Sequence, residues 1–416
     1  VRSLFGLEVL LADDLGAQLR AACQAYVVQR EDWSSVIAGY PWFLDWGRDT
    51  LICARGLLTA GYTNEVVQML RVFGRFAEDG TLPNCIYGED ATNRNTSDAP
   101  LWYAVVVEEA AAILGEALYR QPIDDGRTID DVLLTIATGY RHGSANGIAM
   151  DPQTGLVYSP SHFTWMDTNH PPGTPREGYP IEIQALWWRL LRQLHDRRPD
   201  EDWGRLAEQV HLLLNTRYWS ADRGWLADNL RGLAGTGAAE AQIDDALRSN
   251  ALIAIALGAV HGQAARQTVV AAADALLVPG AIRSLAPGPV KLPCPVHDAE
   301  GGLLNDPFRP YRGRYTGDED TRRKPAYHNG TAWVWPFPSW CEAALTCFDE
   351  SDPVLRRTVR ALLAGVDRLL TDGCHGQLPE ICDGDAPHRQ RGCDAQAWSV
   401  TEVLRLWQRL HLEPVE

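Results

Sequence analysis

Four segments of the chain bring carboxylates, arginines and tryptophans together in patterns that helix packing does not require. In residues 41–50, PWFLDWGRDT, Arg48 and Asp49 fall at the expected start of a helix. An acidic residue there can simply answer the helix dipole while pairing with its neighbour. With Trp42 and Trp46, the same two residues also suit a pocket for one sugar ring. A flat aromatic face takes the apolar C–H side of a pyranose, and Asp and Arg grip adjacent hydroxyls. In residues 162–183, HFTWMDTNHPPGTPREGYPIEI, Asp167 follows Trp165 and Met166. An aromatic, apolar surround raises a carboxyl pKa, as an acid that protonates a leaving oxygen near neutral pH requires. Asp167 could equally cap a turn, and the spacing leaves both readings open.

The third segment, 311–336, holds His328 among Asn329, Thr331, Trp333 and Trp335, a set fit to recognise hydroxyls. Its acidic run Asp318–Asp320 reads as a solvated loop, not a metal site. In the fourth, 376–402, Glu380 follows Pro379 in a loop, with Trp398 further along. A glutamate held beside an aromatic ring can activate a water as general base. Standing alone, it reads as a surface glutamate.

These residues must be positioned by helices, because apolar residues recur at helical spacing along most of the chain. The periodicity predicts about twelve helices, near 7–30, 48–61, 63–78, 98–120, 128–142, 177–196, 202–218, 241–259, 262–277, 329–348, 353–370 and 394–411. Asp98 marks one start and Gly61 one end. The best strand signal is a short hairpin near 155–158. Two long irregular stretches, 143–176 and 279–327, carry aromatic residues and belong to function more than to linkage. Alternating short and long connections between twelve helices predict an all-α fold, an (α/α)6 toroid forming a single domain over 1–416, with the long loops building a cleft.

Composition bounds the rest. The chain has 416 residues and a formal net charge of −16, which argues against nucleic acid and anionic membrane as partners. No apolar run is long enough to span a bilayer. The stretch Leu4 to Ala12 reads as the start of a helix, not a signal peptide. Nine irregularly spaced cysteines fit free thiols in a reducing compartment, hence a cytoplasmic location. No CxxC or HExxH spacing occurs, so no metal and no cofactor is expected. Nothing in the sequence specifies an oligomeric state.

The four segments, with LPN and NTSDAPLWY at 82–103, resemble the glucosidase domain of glycogen debranching enzymes, the amylo-α-1,6-glucosidases. The pieces carrying the resemblance are GYPWFLDWGRDT (39–50), TWMD and TPREGYPIEIQALW (164–187), IRSLAP, YRGRYTGD and YHNGTAWVWP (282–336), and LPEICDGDAPHRQRGCDAQAWSVTEVLR (378–405). They occur in family order over about 370 residues. The resemblance implies an (α/α)6 barrel and an inverting hydrolase, with Asp167 as acid and Glu380 as base. It further implies that Arg48 and Asp49 hold the terminal glucose. Substrate contacts are implied for Trp42, Asp98, Trp102, Trp165, Arg176, Glu182, His328, Trp333, Trp335 and Trp398. Inversion implies carboxyls roughly 6.5–9.5 Å apart, with a water between base and anomeric carbon. The implied substrate is the α-1,6-linked glucose at branch points of glycogen or limit dextrin.

Residues 247–255, LRSNALIAI, depart from the family's usual run, although Asn250 keeps part of it, and the stretch Lys291 to Asn305 is also unusual. The chain shows no transferase half, so the transfer step of debranching is expected from another protein. The rival readings are another toroidal exo-glycosidase (glucoamylase-like, trehalase-like or mannosylglycerate-type) and a catalytically silent glucan-binding module.

Overall fold

A computed structural model describes residues 14–30, 33–87, 90–124 and 126–412. The stretch Leu4 to Ala12 and the opening of the helix expected over 7–30 lie outside them. Twelve helices carry the fold: α1 (Asp14–Cys23), α2 (Gly47–Thr59), α3 (Thr63–Arg75), α4 (Ala99–Leu114), α5 (Ile129–His142), α6 (Ile181–Arg197), α7 (Trp203–Thr216), α8 (Asn250–Ala256), α9 (Gly262–Ala275), α10 (Phe337–Cys347), α11 (Pro353–Leu363) and α12 (Ala397–Leu412).

The even-numbered helices form an inner ring. Each packs on the next, α2 on α4 through to α10 on α12, and α12 returns to α2 to close it. The odd-numbered helices lie outside against them, α1 covering α12. Residue pattern sorts the two layers. In α4 every residue from Ala99 to Val107 is buried, and a helix apolar all round belongs inside. In α3 the buried residues are Val66, Met69, Leu70, Val72, Phe73 and Gly74, one stripe facing inward. Ring closure relies on Gly56 of α2, where a Cβ would meet the Thr401 carbonyl oxygen of α12 at 2.2 Å. The architecture is the all-α (α/α)6 toroid that the sequence predicts.

Charges line part of the ring's interior. Arg55 of α2 pairs with Glu109 of α4 and Glu402 of α12, and Arg405 pairs with Glu402 and with Glu342 of α10. Because inner and outer helices alternate, the inner helices all run in one direction. The connections leading into them (24–46, 76–98, 143–180, 217–249, 276–336 and 364–396) therefore gather at one end.

Those connections contain more strand than the sequence suggests. Val157–Tyr158 pairs with Ala149–Met150 as expected. Beyond it, a five-stranded antiparallel sheet joins residues 277–278, 281–283, 332–333, 381–382 and 390–391, and a three-stranded one joins 178–180, 229–231 and 242–244. Paired stretches of two or three residues are too short to show a period of two. The helix expected over 7–30 ends at Cys23 among the described residues, and Val27–Arg30 instead pairs with Trp33–Val36. The one expected over 241–259 begins only at Asn250, because Asp244 turns to Arg231 at 2.5 Å and Asp245 to Arg223 at 2.5 Å. The one expected over 98–120 stops at Gly115, whose φ of 83° ends α4 before a 3-10 turn. Among the described residues, no helix is long and apolar enough to cross a membrane.

Candidate active site

Short strands stitch the motif segments into one cleft at the loop end of the toroid. Ala395–Gln396 pairs with Gly39–Tyr40, joining the first and fourth segments. Ala332–Trp333 pairs with Ile381–Cys382, setting Trp333 beside Glu380. The cleft is lined by Arg48, Asp49, Trp165, Asp167, His328, Trp333, Glu380 and Trp398, together with Phe43, Trp46, Tyr327 and Gln396. Its cavity volume is about 120 Å³, below the ordinary range of drug-sized sites.

Arg48 organises the acidic side. Its Nε bonds Asp98 at 2.7 Å, its Nη1 bonds Asp167 at 3.0 Å, and its Nη2 bonds the Thr164 carbonyl at 3.2 Å. Burial works against the guanidinium's charge, but Asp98 and Asp167 outweigh it and push its pKa up. Asp167 is the more open catalytic candidate, with its side chain 32% exposed. Burial raises its pKa above the usual carboxyl value, against the opposing pull of Arg48.

Glu380 is deeper, 3% exposed. The Tyr327 hydroxyl donates to Oε1, and the Cys393 amide donates to Oε2 at 2.9 Å. Both bonds favour the carboxylate, yet burial wins and raises the pKa to about 7. Asp49, also buried, rises to about 8, through burial first and then the neighbouring carboxylates, against Arg48. Asp49, Asp98 and Asp167 thus share one guanidinium, and the negative charge of Asp167 adds to the rise at both Asp49 and Glu380.

The apolar wall is an aromatic cluster. Trp165 meets His328, Trp333 and Trp335 edge-on with centroids 5.4, 5.0 and 5.1 Å apart. His328 stacks on Trp333 at 5.0 Å, and burial pushes its pKa far below the usual value, so the ring is neutral. Both ring nitrogens of His328, the Trp398 indole nitrogen and Gln396 Oε1 find no hydrogen-bond partner among the described residues. Buried polar atoms normally have partners, and the His328 and Trp398 nitrogens belong to side chains that line the cleft.

Six residues expected at the substrate lie elsewhere. Trp42 is 60% exposed and does not line the cleft, because it stands in the turn that Phe43 N closes on the Gly39 carbonyl. Trp102 is core, facing Arg55 at 5.4 Å. Asp98 precedes α4 but makes no side-chain cap; its carboxylate is taken by Arg48, and it acts through that residue. Arg176 is buried against Glu182 and Asp228, and both Arg176 and Glu182 sit behind the cleft. Trp335 lies beneath it, stacked on Trp398 at 5.0 Å. Phe43, Tyr327 and Gln396 join the cleft beyond the expected residues, each within two positions of one of them: Trp42, His328 and Trp398. In the departing segment 247–255, Asn250 accepts from Trp165 Nε1 at 2.6 Å and donates to Asp228 at 2.7 Å. Among the described residues, no group of three His, Cys, Asp or Glu side chains could hold a metal ion.

The profile of the family described as Amylo-alpha-1,6-glucosidase matches residues 21–295 and 303–405. The glycogen debranching enzyme of Saccharomyces cerevisiae is 26% identical over 92% of this chain, which spans only 31% of that relative's length. A glycosidase variant solved in complex with glucose superposes with a TM-score of 0.62 at 14% identity, over 96% of this chain and 97% of that one. A GH63 mannosylglycerate hydrolase from Thermus thermophilus, solved with Tris and D-glycerate, gives 0.58 at 15% identity, over 94% and 99%. At such identity these two structures speak for the fold alone. The chain is a glycoside hydrolase, and it belongs to the amylo-alpha-1,6-glucosidase family.

Proposed function

We propose that the chain is an inverting exo-glucosidase that removes α-1,6-linked glucose from branch points of glycogen or limit dextrin. The observation that carries this reading is the pairing, in one aromatic cleft, of a deep Glu380 held on both oxygens with a partly exposed Asp167. Glu380, oriented by Tyr327 and the Cys393 amide, takes a proton from a water that attacks the anomeric carbon. Asp167, nearer the mouth, protonates the glycosidic oxygen as the glucan departs. One carboxyl must be protonated and the other ionised.

Burial raises both carboxyls, Glu380 to about 7, so the roles rest on position and not on pKa. Asp49 and Arg48 grip hydroxyls of the terminal glucose, and the unpartnered nitrogens of His328 and Trp398 complete its recognition.

Proton NMR of the first anomer released from a branched limit dextrin tests the mechanism. β-Glucose is expected first, with Asp167→Asn and Glu380→Gln each slower by at least about 10²-fold. Initial α-glucose, or a near-normal Glu380→Gln enzyme, overturns it. Activity on trehalose, maltooligosaccharides or mannosylglycerate, with none on the branched dextrin, would instead assign the rival exo-glycosidase reading.

A further inference from the structure

A second cavity, of about 450 Å³, lies between residues 173–177, the strand pair 229–231/242–244 and residues 293–295. All three segments belong to the connections that gather at the cleft end of the toroid. Its wall is the continuation of the Asp167 loop: the Gly173 amide folds back on the Thr168 carbonyl at 3.1 Å, and Asn329 Nδ2 holds the Gly173 carbonyl at 2.9 Å. Arg248, on the lining of this cavity, bonds Asn329 Oδ1 at 2.8 Å and the backbone carbonyl of His328, which faces the catalytic cleft. One layer of side chains therefore separates the two spaces.

We propose that this cavity binds the α-1,4-linked glucan chain that departs when the branch glucose is cut. The proposal rests on the reading of Asp167 as the acid. A general acid protonates the leaving oxygen, so the leaving chain lies on its side of the cleft, and this cavity lies along the acid's own loop.

The lining chemistry disfavours an anionic ligand. Its three arginines are already committed: Arg231 to Asp244 at 2.5 Å and the Pro293 carbonyl at 2.6 Å, Arg176 to Glu182 and Asp228, and Arg248 to Asn329. A phosphorylated or carboxylated ligand would have to displace these pairs. Gln242 and Glu240 offer exposed planar polar groups for hydroxyls. Leu233, 71% exposed on the same lining, and Pro293 offer apolar surface for the C–H faces of successive rings.

The test uses the whole chain, with maltohexaose as probe and glucose at saturation to fill the carboxylate cleft. Maltohexaose is expected to bind, and Gln242→Trp, which fills the cavity from its exposed edge, to weaken it roughly tenfold or more. Leu233→Ala, a milder change, should weaken it by about threefold. In turnover, Gln242→Trp should lower kcat/KM on limit dextrin by a similar factor while leaving α-glucosyl fluoride, which has no chain to bind, within about twofold. Unchanged maltohexaose affinity in both variants, or an equal loss on both substrates, overturns the proposal. Should maltohexaose bind through Gln242 while branched dextrin yields no glucose, the glucan site stands and the branch-point reading falls.

Discussion

The hydroxyl of Tyr327 donates to Oε1 of Glu380, and removing that donor has a definite sign. The bond lowers the carboxyl's pKa, against the burial that raises it to about 7. Tyr327→Phe should therefore raise it further. Glu380 must be ionised to act as base, and the pair titrates together, so one limb of the pH profile of kcat/KM reports it. That limb is expected near pH 7 and should move to higher pH in Tyr327→Phe, with the other limb in place. Each unit of movement corresponds to about 1.4 kcal/mol, or a tenfold change in the balance of protonation states. Rates on α-glucosyl fluoride from acid to alkaline pH check this; a stationary limb would reduce Tyr327 to a packing residue.

Asp49 shows a conflict between stability and binding. Its carboxyl rises from 3.8 to about 8, chiefly through burial. The folded chain thus keeps a proton that the unfolded chain releases above about pH 4, so the stability tied to this group is present at low pH and lost as pH rises through about 8. Asp49→Asn, neutral at every pH, should melt higher than wild type at pH 8, by a margin that shrinks toward pH 5. Near neutrality it should also retain activity better than Asp49→Ala, which loses a sugar contact on the order of 10-fold to 10²-fold. Thermal melts across pH, with kcat/KM for the two variants, measure both effects. A larger margin at pH 5 than at pH 8 would show that Asp49 is ionised in the folded chain.

The toroid was legible because its inner and outer helices carry different patterns. The unbroken apolar run of α4 and the stripe of α3 each state which layer they occupy. The cleft was legible only as segments. Arg48, Asp49, Asp167 and Glu380 could be picked from motif positions, and the strands that join those segments are two residues long, below what periodicity reveals. Depth was the further obstacle. Nothing in the spacing distinguishes Trp42, which points to solvent, from Trp398, which lines the cleft. Nor does it show that Asp98 and Arg176 act from behind, since their partners Arg48 and Asp228 lie 50 and 52 positions away. Tyr327 was hidden next to the more conspicuous His328.

Glu342 links the inner ring to its own charge balance. It accepts two bonds from Arg405 at 2.7 and 2.6 Å and one from Arg409 at 3.3 Å, joining α10 to α12. Burial alone would raise its pKa; Arg405, followed by Arg55 and Arg409, reverses this and holds it at about 2. A depressed carboxyl contributes stability that is present above its unfolded value near 4.5 and lost as pH falls through about 2. Glu342→Gln leaves Arg405 with Glu402 alone, so its cost should fall near the low end of the roughly 3–5 kcal/mol seen when a buried pair loses one partner. The cost should be full at pH 7 and shrink between pH 4.5 and 2, where the wild-type carboxylate becomes protonated. Denaturant titrations of both proteins at pH 7 and pH 3 measure it, and a difference that does not shrink at pH 3 would assign the effect to packing instead of charge.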